Sequence, residues 1–392
     1  MPLHGGRVPR WLADRMTKLG SAITEAIVIE YGRDMFLKKL SDPFWFQSFG
    51  CVLGMDWHSS GITTSVMNAL KRGLNPMAGE LGIYICGGRG KHSLKTPDEL
   101  LELAEKTGLN GYELVKKSKL AAKVDNTAIQ DGHNIYLHNF IVTHDGHWTI
   151  VQQGMNALTG MARRYHWNST HVASFVTEPH TAVCGKNKGL ILNLAASEAD
   201  GTKKALVDIV SQNPGKSLQE VKKVLMPRHH DVRAKDVDLK RLGAVLALAY
   251  ESNIKTFDEL LLIQGLGPRT LQSLTLVSEV IHGTPSRFKD PARFSFAHGG
   301  KDGHPFPVPL KVYDQSIHIL KTSIERAKID RSEKQGALKG LHTSALRLEK
   351  GFEPTPGNFD KVIQQERKNA YKYGGMTVTG PAKPPRGQLS LF

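Results

Sequence analysis

Residues 134–154, NIYLHNFIVTHDGHWTIVQQG, predict the fold class of this chain. The run before Asp145 and Gly146 is rich in β-branched and aromatic side chains, and a second such run follows them. An Asp-Gly pair between two runs of this kind is typical of a β-hairpin. With Asp145 and Gly146 as a two-residue loop, the antiparallel register places His138 opposite Gln153.

Further patterns extend this hairpin into a chain of the α+β class. Strands are also predicted at residues 82–86, 172–176 and 189–194. Capping boxes, in which Ser or Thr precedes Glu by three residues, predict helix starts at Thr96, Ser217 and Thr256. We therefore predict an N-terminal α+β catalytic domain over 1–200, an all-α DNA-binding domain over 201–330, C-terminal helices over 331–373 and a flexible tail over 374–392.

The composition favours a polyanionic partner. The chain has 392 residues and a formal net charge of +15, and a basic excess of this size attracts nucleic acid by counterion release. No apolar run approaches the roughly 20 residues of a membrane span. The cysteines, Cys51, Cys86 and Cys184, are far apart, which argues against a disulfide framework. We expect a cytoplasmic, nucleoid-associated protein.

A glycine-rich turn in the second half is the first DNA-binding candidate. Residues 260–270, LLLIQGLGPRT, resemble the helix-hairpin-helix of DNA glycosylases, ligases and nucleases. Gly265 and Gly267 would let the backbone approach a phosphate, while Arg269 and Thr270 begin the next helix. Such contacts position a protein on DNA without reading its sequence. The alternative is an ordinary pair of helices joined by a glycine-rich turn.

The last five residues are a candidate docking peptide. Gln388, Leu389, Ser390, Leu391 and Phe392 resemble the pentapeptide by which polymerases and repair proteins bind the bacterial β sliding clamp. The apolar side chains would fill a pocket while Gln388 contacts its rim. The alternative is a terminus without a partner.

Asp314 is a candidate catalytic residue by resemblance. Residues 307–317 resemble the segment that carries an aspartate after the hairpin in base-excision glycosylases. The resemblance implies that Asp314 would stabilise an oxocarbenium-like sugar or orient a nucleophile. The stretch between hairpin and aspartate is longer than usual, and Arg269 stands where bifunctional glycosylases carry a lysine. Asp314 could instead cap its helix.

The N-terminal half carries the densest polar chemistry. The candidate catalytic residues there are Asp56, His58, Asp131, His138, Gln153, Glu178 and His180. Among them, Asp131, His138, Glu178 and His180 are the candidate ligands of Mg²⁺ or Mn²⁺ for phosphodiester cleavage. Arg163 and Arg164 would bind phosphates. Taken singly, each His is more often a satisfied core or surface residue.

A second glycine-rich stretch, residues 87–93, invites comparison with a phosphate-binding loop. It departs from the Walker pattern because Ile85 stands at the first glycine position and His92 follows the lysine. We do not expect an ATP site. Arg89 and Lys91 remain candidates for contact with the DNA backbone.

Nearly everything before the tail resembles an uncharacterised prokaryotic family, domain of unknown function 763. The motifs that carry this resemblance are Asp131-Gly132, residues 151–156 (VQQGMN), residues 163–167 (RRYHW) and residues 299–303 (GGKDG). The family implies no known activity.

Three functional hypotheses follow from these motifs. The first is a clamp-tethered DNA repair or processing enzyme that cleaves the phosphodiester backbone with a divalent metal. The second is a base-excision glycosylase that uses Asp314. The third is a non-catalytic DNA-binding adaptor recruited by the clamp.

Overall fold

The computed structural model describes residues 1, 8–55, 60–224, 239–292 and 310–349, together with the residue pairs 376–377 and 380–381. Helices and antiparallel sheets alternate along the chain, so the fold belongs to the α+β class. The α-helices are α1 (Arg10–Tyr31), α2 (Arg33–Ser41), α3 (Pro43–Val52), α4 (Gly61–Leu74), α5 (Ala78–Leu81), α6 (Thr96–Thr107), α7 (Gly111–Lys123), α8 (Asp200–Ser211), α9 (Pro214–Val224), α10 (Leu239–Glu251), α11 (Phe257–Leu262), α12 (Pro268–His282), α13 (Leu310–Arg326) and α14 (Arg331–Glu349).

The strands form antiparallel sheets. They are β1 (Ile83–Arg89), β2 (Ile129–Gln130), β3 (Asn134–Thr143), β4 (Trp148–Asn156), β5 (Met161–Asn168), β6 (Ala182–Cys184), β7 (Leu190–Asn193), β8 (Phe288–Lys289), β9 (Met376–Thr377) and β10 (Gly380–Pro381). The central sheet has the order β1-β3-β4-β5-β6, and a smaller sheet has the order β2-β7-β8. Strands β9 and β10 pair with each other.

The predicted hairpin is confirmed as β3 and β4, but its predicted register is wrong by one residue. Val142 pairs with Trp148, and His138 pairs with Gln152. The loop has three residues rather than two, because the Thr143 amide bonds the His147 carbonyl and Gly146 takes a left-handed φ of 82°. Since side chains alternate between the faces of a strand, this shift places His138 and Gln153 on opposite faces of the sheet.

The other predicted elements have mixed outcomes. Strands overlap residues 82–86 and 189–194, whereas residues 172–176 are irregular and form no strand. The Thr256 capping box is present. Ser217 lies inside α9, and its hydroxyl bonds the Ile209 carbonyl instead of capping the helix. Strand β5 was not predicted. Of the predicted tail over 374–392, only β9 and β10 lie within the described residues.

Helices cover both faces of the central sheet. On one face, Phe140, Ile150 and Trp167 belong to a core that extends to the helices between residues 200 and 282. On the other face, Ile141 and Val151 pack in a second core with α1 to α4, α13 and α14. The first of these cores contains residues from both sides of position 200. The core is therefore continuous across the expected domain boundary, because the helices after residue 200 bury their apolar side against the same sheet.

Two composition-based expectations can be compared with the structure. Cys51, Cys86 and Cys184 form no disulfide bond. Burial raises the pKa of the Cys86 thiol to about 12 and that of Cys184 to about 11, so both stay protonated at neutral pH. Within the described ranges, no helix is both long and apolar enough to span a bilayer.

Gly87 lets β1 approach β3 closely. Its φ is 90°, and a Cβ atom there would lie 2.2 Å from the His138 carbonyl oxygen. The Gly87 amide donates to Glu99 Oε2 at 2.7 Å, and Lys71 Nζ donates to the Gly87 carbonyl at 2.7 Å. The glycine-rich stretch therefore begins as the end of a strand whose backbone groups are already bonded within the protein.

Replacing Gly87 with alanine should lower the free energy of unfolding by about 2–4 kcal/mol, because the new methyl group meets backbone at a left-handed φ. Urea denaturation followed by circular dichroism measures the change. Gly79→Ala is the matched control, since a Cβ atom there has no neighbour within 4 Å and a helical alanine changes stability by about 1 kcal/mol or less. Equal stability of Gly87→Ala and the wild type would contradict this account.

Candidate functional site

The glycine turn joins α11 to α12 at the protein surface. Thr256 caps α11 with both bonds of a capping box. Gly265 is exposed and has a left-handed φ of 85°. Gly267 is the N-cap of α12, and Pro268 occupies the first helical position, where its missing N–H is no loss. The turn is thus built by local sequence and is accessible from solvent.

Side chains from other elements donate hydrogen bonds to the carbonyl groups of this turn. The bonds are Arg241 Nη2 to Gly265 O at 3.4 Å, Lys123 Nζ to Leu266 O at 2.6 Å and Gln130 Nε2 to Pro268 O at 2.7 Å. Two of the three donors are cationic. The negative ends of the turn's peptide dipoles are therefore neutralised by the protein itself.

The amide groups of the turn differ from its carbonyl groups in their hydrogen bonding. The N–H groups of Gly265, Gly267, Arg269 and Thr270 donate no hydrogen bond to any residue that the structure describes. Those of Arg269 and Thr270 belong to the first turn of α12, which has 15 residues and carries positive potential at this end. Unpaired amides beside a helix N-terminus are groups that can donate hydrogen bonds to an anion such as phosphate.

Cationic side chains increase this potential. Burial lowers the pKa of Lys123, and the nearby charge of Arg241 lowers it further. Arg269 is exposed, whereas Thr270 is buried. A bound anion would relieve the repulsion between Lys123 and Arg241. Sequence reasoning did not select these two residues, because they lie far from the turn along the chain and only tertiary packing brings them to it.

Arg163, by contrast, lies in the interior. Its guanidinium bonds Asp131 Oδ2 at 2.8 Å and both oxygens of Asp290 at 2.8–2.9 Å, and all three side chains have no exposed surface or almost none. Burial alone would lower the pKa of Arg163, but the two carboxylates raise it. The expected role of Arg163 in binding phosphate is corrected: its donors already hold buried carboxylates.

Arg164 is also fully buried, on the opposite face of the sheet. Its Nη1 donates to Gln47 Oε1 at 3.0 Å and its Nε to His166 Nε2 at 2.7 Å. The guanidinium lies 4.5 Å from the centre of the Phe46 ring. Burial lowers the pKa of Arg164 and lowers that of His166 well below its ordinary value. Arg164 therefore has no access to a phosphate at the surface, and that prediction is also corrected.

His138 belongs to a buried chain of hydrogen bonds. Ser118 Oγ lies 2.8 Å from His138 Nε2, and His138 Nδ1 lies 2.8 Å from Gln152 Oε1. Gln152 Nε2 donates in turn to Asp125, which also bonds His180. This direction requires the proton of neutral His138 on Nδ1, so that Ser118 donates to Nε2. The side chains of Ser118, His138, Gln152 and Asp125 therefore satisfy one another.

The carboxylates differ in their electrostatics. Burial raises the pKa of Asp125, opposed by His180. Burial would also raise the pKa of Asp131, but Arg163 and His133 outweigh it, and the pKa is lowered. Asp131 is thus ionised and fixed by Arg163, which makes it part of the framework of the sheet.

The four candidate metal ligands do not come together. Asp131 bonds Arg163, His138 bonds Ser118 and Gln152, and His180 bonds Asp125. Glu178 is exposed, and its Oε1 accepts from the Ser197 amide at 3.3 Å. Among the residues that the structure describes, no three His, Cys, Asp or Glu residues are grouped to hold a metal ion. Asp56 and His58 lie outside the described residues.

The remaining candidates in the N-terminal half lie on the other face of the sheet or at its edge. Gln153 Nε2 donates to the Ser60 carbonyl at 3.0 Å and also bonds the Tyr136 hydroxyl, while its Oε1 is buried without a partner. Arg89 is exposed and packs over the Tyr136 ring. Lys91 is exposed, so both basic residues keep access to solvent.

Asp314 and the C-terminal peptide are separate from the turn. Asp314 is exposed on α13. Helix α13 buries Ile319 and Leu320 in the core on one face of the central sheet, whereas α11 and α12 belong to the core on the other face. The structure therefore does not place Asp314 in one helical layer with the glycine turn, as the predicted all-α domain over 201–330 implied. Residues 388–392 lie outside the described residues.

Comparison with known proteins places the chain in a family. A family model described as "Protein of unknown function (DUF763)" matches residues 1–308, which is most of the chain. The chain belongs to this family. No curated protein and no solved structure matches it.

His138 should make folding stability depend on pH. Burial lowers its pKa to about 4 in the folded protein, against about 6.5 for histidine in an unfolded chain. Between these values the unfolded chain binds more protons, so stability falls as the pH falls from 7 towards 4. Between pH 7 and pH 5, the free energy of unfolding measured in urea should fall by about 2 kcal/mol less in His138→Gln than in the wild type.

The urea dependence of unfolding should be the same in both proteins, which would show that the transition itself is unchanged. An identical loss of stability in the two proteins over this pH range would mean that His138 is protonated in the folded state.

Proposed function

We propose that this protein binds duplex DNA in repair or processing, with the glycine turn on the phosphodiester backbone and the C-terminal pentapeptide on a bacterial β sliding clamp. One observation carries the DNA-binding part of the proposal. The carbonyl groups of the turn are covered by donors from the protein, while the amides of Gly265, Gly267, Arg269 and Thr270 have no partner among the described residues.

A phosphate oxygen fits this arrangement of groups. It would accept from the amides at the start of α12 and lie near the cations of Lys123, Arg241 and Arg269. None of these groups reads a base edge, so the contact would be independent of sequence. The net charge of +15 supports association with a polyanion such as duplex DNA.

Binding of duplex DNA should weaken when the charge of Arg269 is reversed. We expect Arg269→Glu to lower the affinity for a fluorescent duplex about tenfold, and to reduce the slope of log K against log salt by about 1, because one phosphate contact is lost. Fluorescence anisotropy over a range of salt concentrations measures both quantities.

Lys321→Glu is the matched control for this experiment. It makes the same change of charge at an exposed site on α13, which packs on the other side of the sheet. Equal losses of affinity in the two variants would show that overall charge, rather than the glycine turn, determines binding.

The pentapeptide 388–392 supports recruitment to the clamp through its Leu391 and Phe392 side chains and its Gln388 amide. Removing residues 388–392 should abolish co-elution with a bacterial β sliding clamp in size-exclusion chromatography. The same truncated protein should bind duplex DNA as the full chain does, which shows that it remains folded. Co-elution that survives the truncation would rule out this docking site.

Cleavage with Mg²⁺ or Mn²⁺ is the reaction proposed for the N-terminal half, and Asp56 and His58 are the candidate residues with which to test it. Asp131 is a poor residue for testing it, since removing a buried partner of Arg163 destabilises the fold by about 3–5 kcal/mol. Nicking of supercoiled plasmid that requires the metal, stops with EDTA and is lost in Asp56→Ala or His58→Ala would support cleavage. Absence of nicking with either metal would leave the non-catalytic adaptor.

A further inference from the structure

A cavity of about 210 Å³ lies beside the glycine turn, between α12, β7 and the residues just before β8. Leu190 and Leu276 contribute apolar surface to its walls, and Gln130, Gln272, Ser286 and Arg287 contribute polar groups. Apolar walls with a few convergent polar groups are typical of a site for a small ligand or part of one.

The polar groups of this cavity are available for a ligand. The side chains of Gln272, Ser286 and Arg287 form no hydrogen bond within the part of the chain that the structure describes. Gln130 donates through Nε2 to Thr127 and Pro268, which leaves its Oε1 as an acceptor. Together they offer acceptors, amide donors and one guanidinium.

The cavity and the turn are joined through shared residues. Gln130 lines the cavity and donates to the carbonyl of Pro268, the first residue of α12. Gln272 and Leu276 lie four and eight positions further along α12, which is about 6 Å and 12 Å along its axis. A nucleotide whose phosphate binds the turn would therefore have its base within reach of the cavity.

We infer that this cavity binds a single unstacked nucleobase of DNA whose phosphate is held at the glycine turn. The inference rests on the proposed DNA-binding function. The leucine walls would contact the faces of the base, as apolar side chains do for extruded bases. Glutamine amides and Arg287 match the donor and acceptor groups at base edges. Lys289, exposed and paired with Leu190 across β7 and β8, adds positive charge beside the cavity.

The test compares a fully paired duplex with a duplex that carries one unpaired 2-aminopurine. By anisotropy, the wild type should bind the second about tenfold more tightly, since pairing no longer competes with the cavity, and the 2-aminopurine emission should change on binding. Gln272→Ala and Leu276→Trp should each reduce the ratio of the two affinities to about one. Glu279→Ala, an exposed change on the same helix, should leave the ratio at its wild-type value.

The outcomes separate this inference from the proposed function. Equal affinity of the wild type for the two duplexes would overturn the base cavity and leave backbone binding intact, whereas no binding to either duplex would overturn both. A ratio that persists in Gln272→Ala and Leu276→Trp would place the base elsewhere. A different outcome is that free deoxynucleoside monophosphates compete with the duplex in the wild type but not in Leu276→Trp. If the wild type then shows no preference for the unpaired base, the cavity binds a free nucleotide and the inference is overturned.

Discussion

The position of the glycine turn depends on the ion pairs of the buried Arg163 guanidinium. It joins strand β5 to Asp131, which follows β2 directly, and to Asp290, which follows β8. Losing one partner of such a buried group costs about 3–5 kcal/mol, because the remaining charge stays desolvated. Gln130 adjoins Asp131 and donates to the Pro268 carbonyl. The ion network thus fixes the same short segment that supports the start of α12.

The sheet separates two layers that carry different candidate residues. One layer, which includes α11 and α12, presents the turn, its cations and the adjoining cavity. The other layer packs α1 to α4 with α13 and α14 and carries Asp314 at its surface. Because both layers are held by one sheet, the glycine turn stands on a rigid support, which would lower the entropy lost if the turn binds a phosphate.

Local patterns in the sequence predicted what local interactions determine. The Asp-Gly hairpin, the Thr256 capping box and the glycine turn each depend on residues within a few positions of one another, and each is present. The register of the hairpin was wrong by one residue, because a three-residue loop with Gly146 in the left-handed region is also compatible with Asp-Gly. Strand β5 was missed because the polar side chains of Arg163, Arg164 and His166 indicated a functional site rather than a strand. In the structure these side chains are buried, and each has a partner from a distant part of the chain.

Hydrogen–deuterium exchange tests most directly whether the amides of the glycine turn hold a DNA phosphate. First-turn amides without partners exchange fast in the free protein. In the complex with duplex DNA, peptides covering Gln264–Thr270 should exchange more slowly, while peptides from α13 should be unaffected. Saturation with duplex DNA that leaves the exchange of Gln264–Thr270 unchanged would contradict this contact, whatever the affinity.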